Sequence, residues 1–141
     1  MIRTATIDDL DVIVEMCEKF FAETYHSNDF EFDIGTTTEV LIHLIENGTV
    51  FISKDDAVFA AFVYPSLFNK YILVALEVLW WIKPEKRNLG TGIRLLKYAE
   101  SHLKHSGVKS LTVGNLDNDS IGDIYRKMGY IKREESYVRV L

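Results

Sequence analysis

Arg87-Asn88-Leu89-Gly90-Thr91-Gly92 is the stretch of this 141-residue chain whose reading decides its fold. It follows an apolar run, Tyr71 to Ile82, and a helix-stopping Lys83-Pro84; it opens an amphipathic helical pattern that reaches His105. Strand, glycine loop and helix in that order aim free backbone N–H groups and a positive helix end at a phosphate. Gly90 and Gly92 allow the close approach that a Cβ would block. Arg87 adds a permanent charge at the entrance. The six residues read as a cradle for a diphosphate.

The known cradles differ in their spacing. A P-loop carries Lys-Ser/Thr after its last glycine, whereas Gly92 is followed by Ile93 and Arg94. A dinucleotide fingerprint has a third glycine three residues after Gly92, where this chain has Leu95. It also places a carboxylate about twenty residues on, and the strand-like run Ser110 to Val113 has none. The remaining pattern is Arg/Gln-x-x-Gly-x-Gly/Ala.

A second motif runs from Asn118 through Tyr125, Lys127 and Gly129 to Tyr130. With the loop, it resembles the GNAT superfamily of N-acetyltransferases, which carry Asn-x-x-Ala-x-x-Leu-Tyr-x-Lys-x-Gly-Phe/Tyr there. The small residue of that motif is Ile121 here, a departure from the pattern. The start, Ile2 to Thr6 with Asp9, also resembles the family's first strand and helix. The resemblance covers nearly the whole chain, and Glu77 to Pro84 is most similar to small members from phages and bacteria. It implies a mixed α/β fold, with a mostly antiparallel central sheet, a parallel strand pair that splays apart, and flanking helices.

Length and composition agree with one domain, 1–141, large enough to bury roughly 70% of its unfolded surface. Apolar residues make up 48% of the chain, which favours a packed core over disorder. No apolar run reaches the roughly 18 residues of a membrane span. Asp8, Asp9 and Asp11 come too early for a secretory signal. The single cysteine, Cys17, excludes an internal disulfide, suits a reducing cytoplasm, and falls on an apolar helix face as a core residue. A net charge of −5 argues against nucleic acid and anionic membranes as partners and favours a cationic one.

The expected element order is βααβββαβαββ. Ile2–Ala5 reads as a strand, and Thr6 with Asp9 as a capping box for a helix to Glu23. An acidic loop, Thr24–Gly35, leads to a second helix capped by Thr36 with Glu39 and stopped by Asn47-Gly48. Strands Thr49–Ser53 and Ala57–Tyr64 flank a Lys54-Asp55-Asp56 turn, and Pro65–Lys70 turns into the third. The helix Gly90–His105 crosses over to a parallel strand, Lys109–Val113. A helix from Asn118 to Lys127 and two short strands around Glu134-Glu135 close the chain.

The resemblance implies transfer of acetyl from acetyl-CoA, as cosubstrate, directly to an amine in a ternary complex. The diphosphate would lie on Arg87, Asn88, Leu89, Gly90, Thr91 and Gly92. The pantetheine arm would pair with free backbone groups of Trp80, Trp81 and Ile82, and with Asn118, which also suits a helix N-cap. Strand alternation lets only one of Trp80 and Trp81 face that ligand. Tyr125 is the implied general acid, since a phenol of pKa about 10 can protonate a thiolate of about 8.5; otherwise it packs on the sheet. Glu77, a carboxylate in an apolar strand, is the candidate base, with ordered water as the alternative. It stands one position out of step with the strand glutamate of histone-type members.

His102 and His105 have metal-binding spacing but no third ligand nearby, so no metal is expected. The other reading is a CoA-binding sensor or interaction module without turnover. The acceptor is an amine, in a small molecule or peptide, of unstated identity, and the resemblance leaves a homodimer open.

Overall fold

The computed structural model describes residues 1–54 and 56–141; Asp55 of the expected Lys54-Asp55-Asp56 turn lies outside them. Five strands form one sheet in the order β1-β2-β3-β4-β5. They are β1 (Ile2–Thr4), β2 (Val50–Ser53), β3 (Ala57–Ser66), β4 (Asn69–Ile82) and β5 (Val108–Thr112). Successive pairs are antiparallel except β4 and β5, which are parallel. The helices are α1 (Leu10–Glu23), the single turn α2 (His26–Asp29), α3 (Ile34–Glu46), α4 (Thr91–His105) and α5 (Asp119–Lys127).

The helices cover both faces of the sheet. Ile13 and Met16 of α1 and Leu41 and Leu44 of α3 are buried against Val58, Leu79 and Trp81. On the other face, Leu95, Leu96 and Ala99 of α4 and Tyr125 of α5 meet Phe51, Phe59 and Ala75. Losing one of these large side chains costs about 2–5 kcal/mol, so each helix is held chiefly by its apolar face. Cys17 packs at the margin of the first cluster, and burial pushes its thiol up to about 11. That is a core thiol.

Three expectations need correction. The acidic segment is not all loop: Asp33 caps α3, its carboxylate accepting from the Thr36 N–H at 2.8 Å and hydroxyl at 2.6 Å. Aspartate is the stronger cap, so the helix begins at Ile34 and Thr36 lies inside it. Pro65 continues β3 instead of breaking it; β2 ends opposite Ala57–Ala60, so Pro65 stands where β3 has only one neighbour. The two closing strands do not form. Residues 131–141 are exposed throughout, Lys132 pairs with Glu135 at 2.6 Å, and four successive charges, Lys132 to Glu135, favour water over a sheet. The capping box is as expected, with Asp9 accepting from the Thr6 N–H at 2.8 Å. Arg3 also grips Asp9 at 2.8 and 2.9 Å and holds its carboxyl down at about 2.

Candidate functional site

The parallel pair opens where the site begins. β5 follows β4 only from Leu73 to Leu76, and β4 then continues to Ile82 without it. Beyond Leu76 one edge of β4 therefore presents backbone groups to a cleft. Gly114, just past β5, stands at the fork.

A bulge sets which side chains enter that cleft. Ala60 of β3 pairs with Leu79, but Ala61 pairs with Glu77, so Val78 is the extra residue. Strict alternation would place Glu77 on the face of Leu79 and Trp81, under α1. The bulge turns it to the α4/α5 face with Trp80 instead. The same alternation separates the tryptophans. Trp80 stacks on Tyr125, centroids 5.7 Å apart, while Trp81 is buried on the α1 side beneath Lys19 and Arg87.

Glu77, Tyr125 and the Gly114 peptide close on one another. The Tyr125 hydroxyl donates to the Gly114 carbonyl at 2.8 Å and reaches Glu77 Oε2 at 3.3 Å. The Gly114 N–H donates to Glu77 Oε1 at 3.3 Å. Burial pushes the Glu77 carboxyl up to about 7, against the opposing pull of the Gly114 and Tyr125 hydrogen bonds. Burial, then the Glu77 charge and hydrogen bond, lift the Tyr125 phenol well above its ordinary range. A carboxylate poised near neutrality beside a phenol can accept a proton on one side and deliver one on the other.

The loop after β4 supplies the other half. Gly90, at φ 81°, caps α4 in the left-handed region that favours glycine. The first helical bond is Arg94 N–H to Gly90 O at 3.0 Å, so the N–H groups of Thr91, Gly92 and Ile93 have no carbonyl of the helix ahead of them. Gly92 faces inward: a Cβ there would lie 3.1 Å from Ile82 Cδ1 and 3.3 Å from Trp80 Cζ2. Its absence lets α4 sit down on β4. Asn88 also has positive φ, and Leu89 is exposed beside it.

Arg87 is occupied elsewhere than over this loop. Its guanidinium donates to Glu23 Oε2 at 2.8 Å and to the Ile82 carbonyl at 2.8 Å, tying the end of α1 to the end of β4. Arg94, not singled out in the sequence, folds over the loop and donates to Leu89 O and Thr91 Oγ1, each at 3.3 Å. Its position four residues after Gly90, one helical turn on, was the available signal. Gly114 was likewise missed, because a peptide that serves through its backbone leaves little trace in side-chain patterns.

Asn118 is the N-cap of α5 and accepts from the N–H groups of Ser120 and Ile121 at 3.0 and 3.4 Å. Tyr130 is half-buried and donates to Glu100 at 3.0 Å. His102 packs its ring on Phe51 at 5.1 Å, and His105 bonds its own helix at Ser101 O, 2.9 Å.

The residues present fit an acyl-CoA. Free N–H groups at an α4 terminus suit a diphosphate, and the unpaired β4 edge suits an amide-bearing arm; among the described residues the buried indole N–H groups of both Trp80, on the cleft side, and Trp81, on the α1 side, have no partner.

No protein-family model matches the sequence, and no curated protein matches it. Solved structures do. A GCN5-related N-acetyltransferase from Ralstonia eutropha superposes with a TM-score of 0.72 at 18% identity, over 99% of this chain and 97% of that one. An aminoglycoside acetyltransferase from an uncultured soil metagenomic sample gives 0.75 at 15%, over 100% and 95%. A transcriptional regulator from Bacillus halodurans gives 0.75 at 15%, over 99% and 97%. The chain has the fold of the GCN5-related N-acetyltransferases.

Proposed function

We propose that this chain is a member of the GNAT superfamily, a single acetyltransferase domain spanning 1–141, that moves acetyl from acetyl-CoA directly to an amine in a ternary complex. The observation that carries the reading is the placement of Glu77 and Tyr125, 3.3 Å apart, at the fork of β4 and β5 beside the α4 N-terminus. Acetyl-CoA, when bound, supplies the acetyl thioester and leaves as a thiol.

The residues divide the remaining work. The N–H groups at Thr91 and Gly92, with Asn88, Leu89 and Gly90 shaping the loop, hold the diphosphate. The β4 edge at Trp80–Ile82 and Asn118 hold the arm, although the Ile82 carbonyl is already taken by Arg87. Arg87 acts by joining the loop to α1. Glu77, directly or through a water, takes the proton of the amine nitrogen as that nitrogen bonds the acetyl carbon. Tyr125 gives its phenolic proton to sulfur as the carbon–sulfur bond breaks. The Glu77 carboxyl then returns a proton to the Tyr125 oxygen, so the net transfer is one proton from nitrogen to sulfur.

Several solved structures with this fold are aminoglycoside acetyltransferases, whose substrates carry amines, which agrees with a cationic acceptor for a chain of net charge −5. A cytoplasmic setting, where acetyl-CoA is made, fits the same reading. The test is acetyl-CoA consumption against aminoglycosides, polyamines, amino acids and peptides. Turnover with any amine supports transfer. Tight CoA binding with no turnover across the panel would favour a sensor, a role in keeping with the regulator that shares the fold.

A further inference from the structure

The slot that holds the Tyr125 ring has two walls, and α4 touches both. Trp80 forms one, stacked on Tyr125 with centroids 5.7 Å apart. Tyr130 forms the other, tilted against the ring at 5.4 Å. Trp80 lies along Gly92, where a Cβ would stand 3.3 Å from its Cζ2. Tyr130 donates its hydroxyl to Glu100 Oε2 at 3.0 Å. Gly92 and Glu100 belong to the same helix, roughly two turns apart. The end of α5 explains how Tyr130 comes to be there. Gly129, at φ 95°, turns the chain back; its N–H donates to Arg126 O at 3.1 Å and the Tyr130 N–H to Tyr125 O at 3.0 Å. These are the paired bonds of a Schellman cap, which packs the residue after its glycine onto the residue that accepts the longer bond. A phenylalanine would make that ring contact equally well, so the hydroxyl serves something else. Burial, then the Glu100 charge and hydrogen bond, lift this half-buried phenol above its ordinary range. It stays protonated and donates across to α4.

We infer that Tyr130, anchored by Glu100, is a positioning residue that keeps the Tyr125 ring in place while its proton is transferred. The inference rests on the reading of Tyr125 as the acid. At rest the Tyr125 hydroxyl is tied to Gly114 O and to Glu77. To protonate sulfur it must turn its hydrogen away from the Gly114 carbonyl, and the phenol is then kept in line by its two walls. Trp80 is held on β4. Tyr130 lies beyond the end of α5, and its side chain is fixed at the far end only by the bond to Glu100. A misplacement of about 1 Å at a reacting group can cost about 10²-fold in rate. The helix whose N-terminus is proposed to seat the diphosphate therefore also sets the ring of the proposed acid.

The test is steady-state kinetics of the full chain with acetyl-CoA and whichever amine of the panel above is turned over fastest. Tyr130→Phe and Glu100→Leu are each expected to lower kcat about tenfold with the KM for acetyl-CoA unchanged. Glu100→Gln keeps an acceptor oxygen and is expected to recover most of what Glu100→Leu loses. In a Tyr125→Phe background, Tyr130→Phe should lower kcat no further, because it acts through the Tyr125 hydroxyl. A merely structural role would give losses that add in that background and a KM that moves with kcat. Should Tyr130→Phe fail to fold, the two Glu100 variants read the same hydrogen bond from its other end. A parent that turns over no amine would sink the acetyltransferase reading and this inference with it. A parent that turns over while Tyr130→Phe and Glu100→Leu keep full kcat, or losses that add in the Tyr125→Phe background, would overturn the inference alone.

Discussion

Glu77 and Tyr125 are 48 residues apart in sequence and 3.3 Å apart in space, and the peptide of Gly114 bonds to both. This contact gives the proposed proton steps an order. While Glu77 is ionised, its charge and hydrogen bond help hold the Tyr125 phenol far above its ordinary range, second only to burial. A phenol in that state is a poor acid toward a thiolate. Once Glu77 has taken the amine's proton the charge is gone, and the phenol returns toward a value from which donation is feasible. In the proposed mechanism, base action by Glu77 comes first and enables acid action by Tyr125.

Tyr125→Phe is therefore expected to lower kcat by about 10²–10⁴-fold with acetyl-CoA affinity little changed. It should also move the acidic limb of the pH profile. The Tyr125 hydroxyl stabilises the Glu77 carboxylate, so its loss raises the Glu77 value above about 7. A residual activity whose limb stays in place would mean that the two groups titrate independently.

Glu77 itself links activity and stability with opposite signs. As a base it must be ionised, so kcat/KM should rise with pH through about 7, and Glu77→Gln should remove that limb. Stability runs the other way. The folded value of about 7 lies above the ordinary 4.5, so the folded chain binds the proton more tightly and loses stability as pH rises between the two. The loss amounts to about 3 kcal/mol once both values are passed. Glu77→Gln should thus match the parent's melting temperature near pH 4.5 and exceed it at pH 8. Equal melting temperatures at pH 8 would place the carboxyl in contact with solvent.

Gly92→Ala tests the seat of α4. The added Cβ meets the side chains of Ile82 and Trp80, and Trp80 stacks on Tyr125. The expected result is weaker CoA binding by calorimetry together with a lower kcat, because the disturbance passes through Trp80 to the acid. Gly90→Ala acts differently: it strains a left-handed position by about 1–2 kcal/mol and crowds the Arg94 guanidinium, and should weaken CoA binding more than it lowers kcat. Identical effects from both would show that loop shape alone matters.

The sequence was most informative where a side chain or a glycine has one local job. Gly90, the Thr6–Asp9 box and the crossover from β4 through α4 to a parallel strand all lie within short spans governed by local rules. Glu77 was harder, because its facing depends on a bulge at Val78, and a bulge is a property of two strands read together. Arg87 was legible as a charge beside the loop, but its partner, Glu23, is 64 residues away. The two short strands expected around Glu134-Glu135 were not legible, because a strand forms only against a partner that the segment's own residues do not supply.

The proposed acceptor side is argued from that same Arg87–Glu23 pair. At 2.8 Å it fixes the end of α1 against the end of β4, so the acidic segment that follows Glu23 starts beside the end of β4. There Phe30 and Phe32 lean on Phe21, at 5.6 and 5.5 Å, leaving Phe30 exposed, with Asp29 and Glu31 on either side of it. Asp33 is committed to capping α3 and is not available to a ligand. Asp29 and Glu31 are thus the carboxylates that can attract a cationic amine, with Phe30 to pack its carbon chain. Attraction between such exposed charges fades beyond about 8 Å at physiological salt. Asp29→Asn with Glu31→Gln should raise the KM of a polyamine or aminoglycoside acceptor severalfold at low salt. The difference should shrink as salt is added, while the KM for acetyl-CoA stays constant. Asp33→Asn, which keeps a capping oxygen, should leave both constants alone. If the double variant handles its best acceptor at low salt as well as the parent does, the carboxylates only solvate the segment, and acceptor choice belongs to the cleft walls.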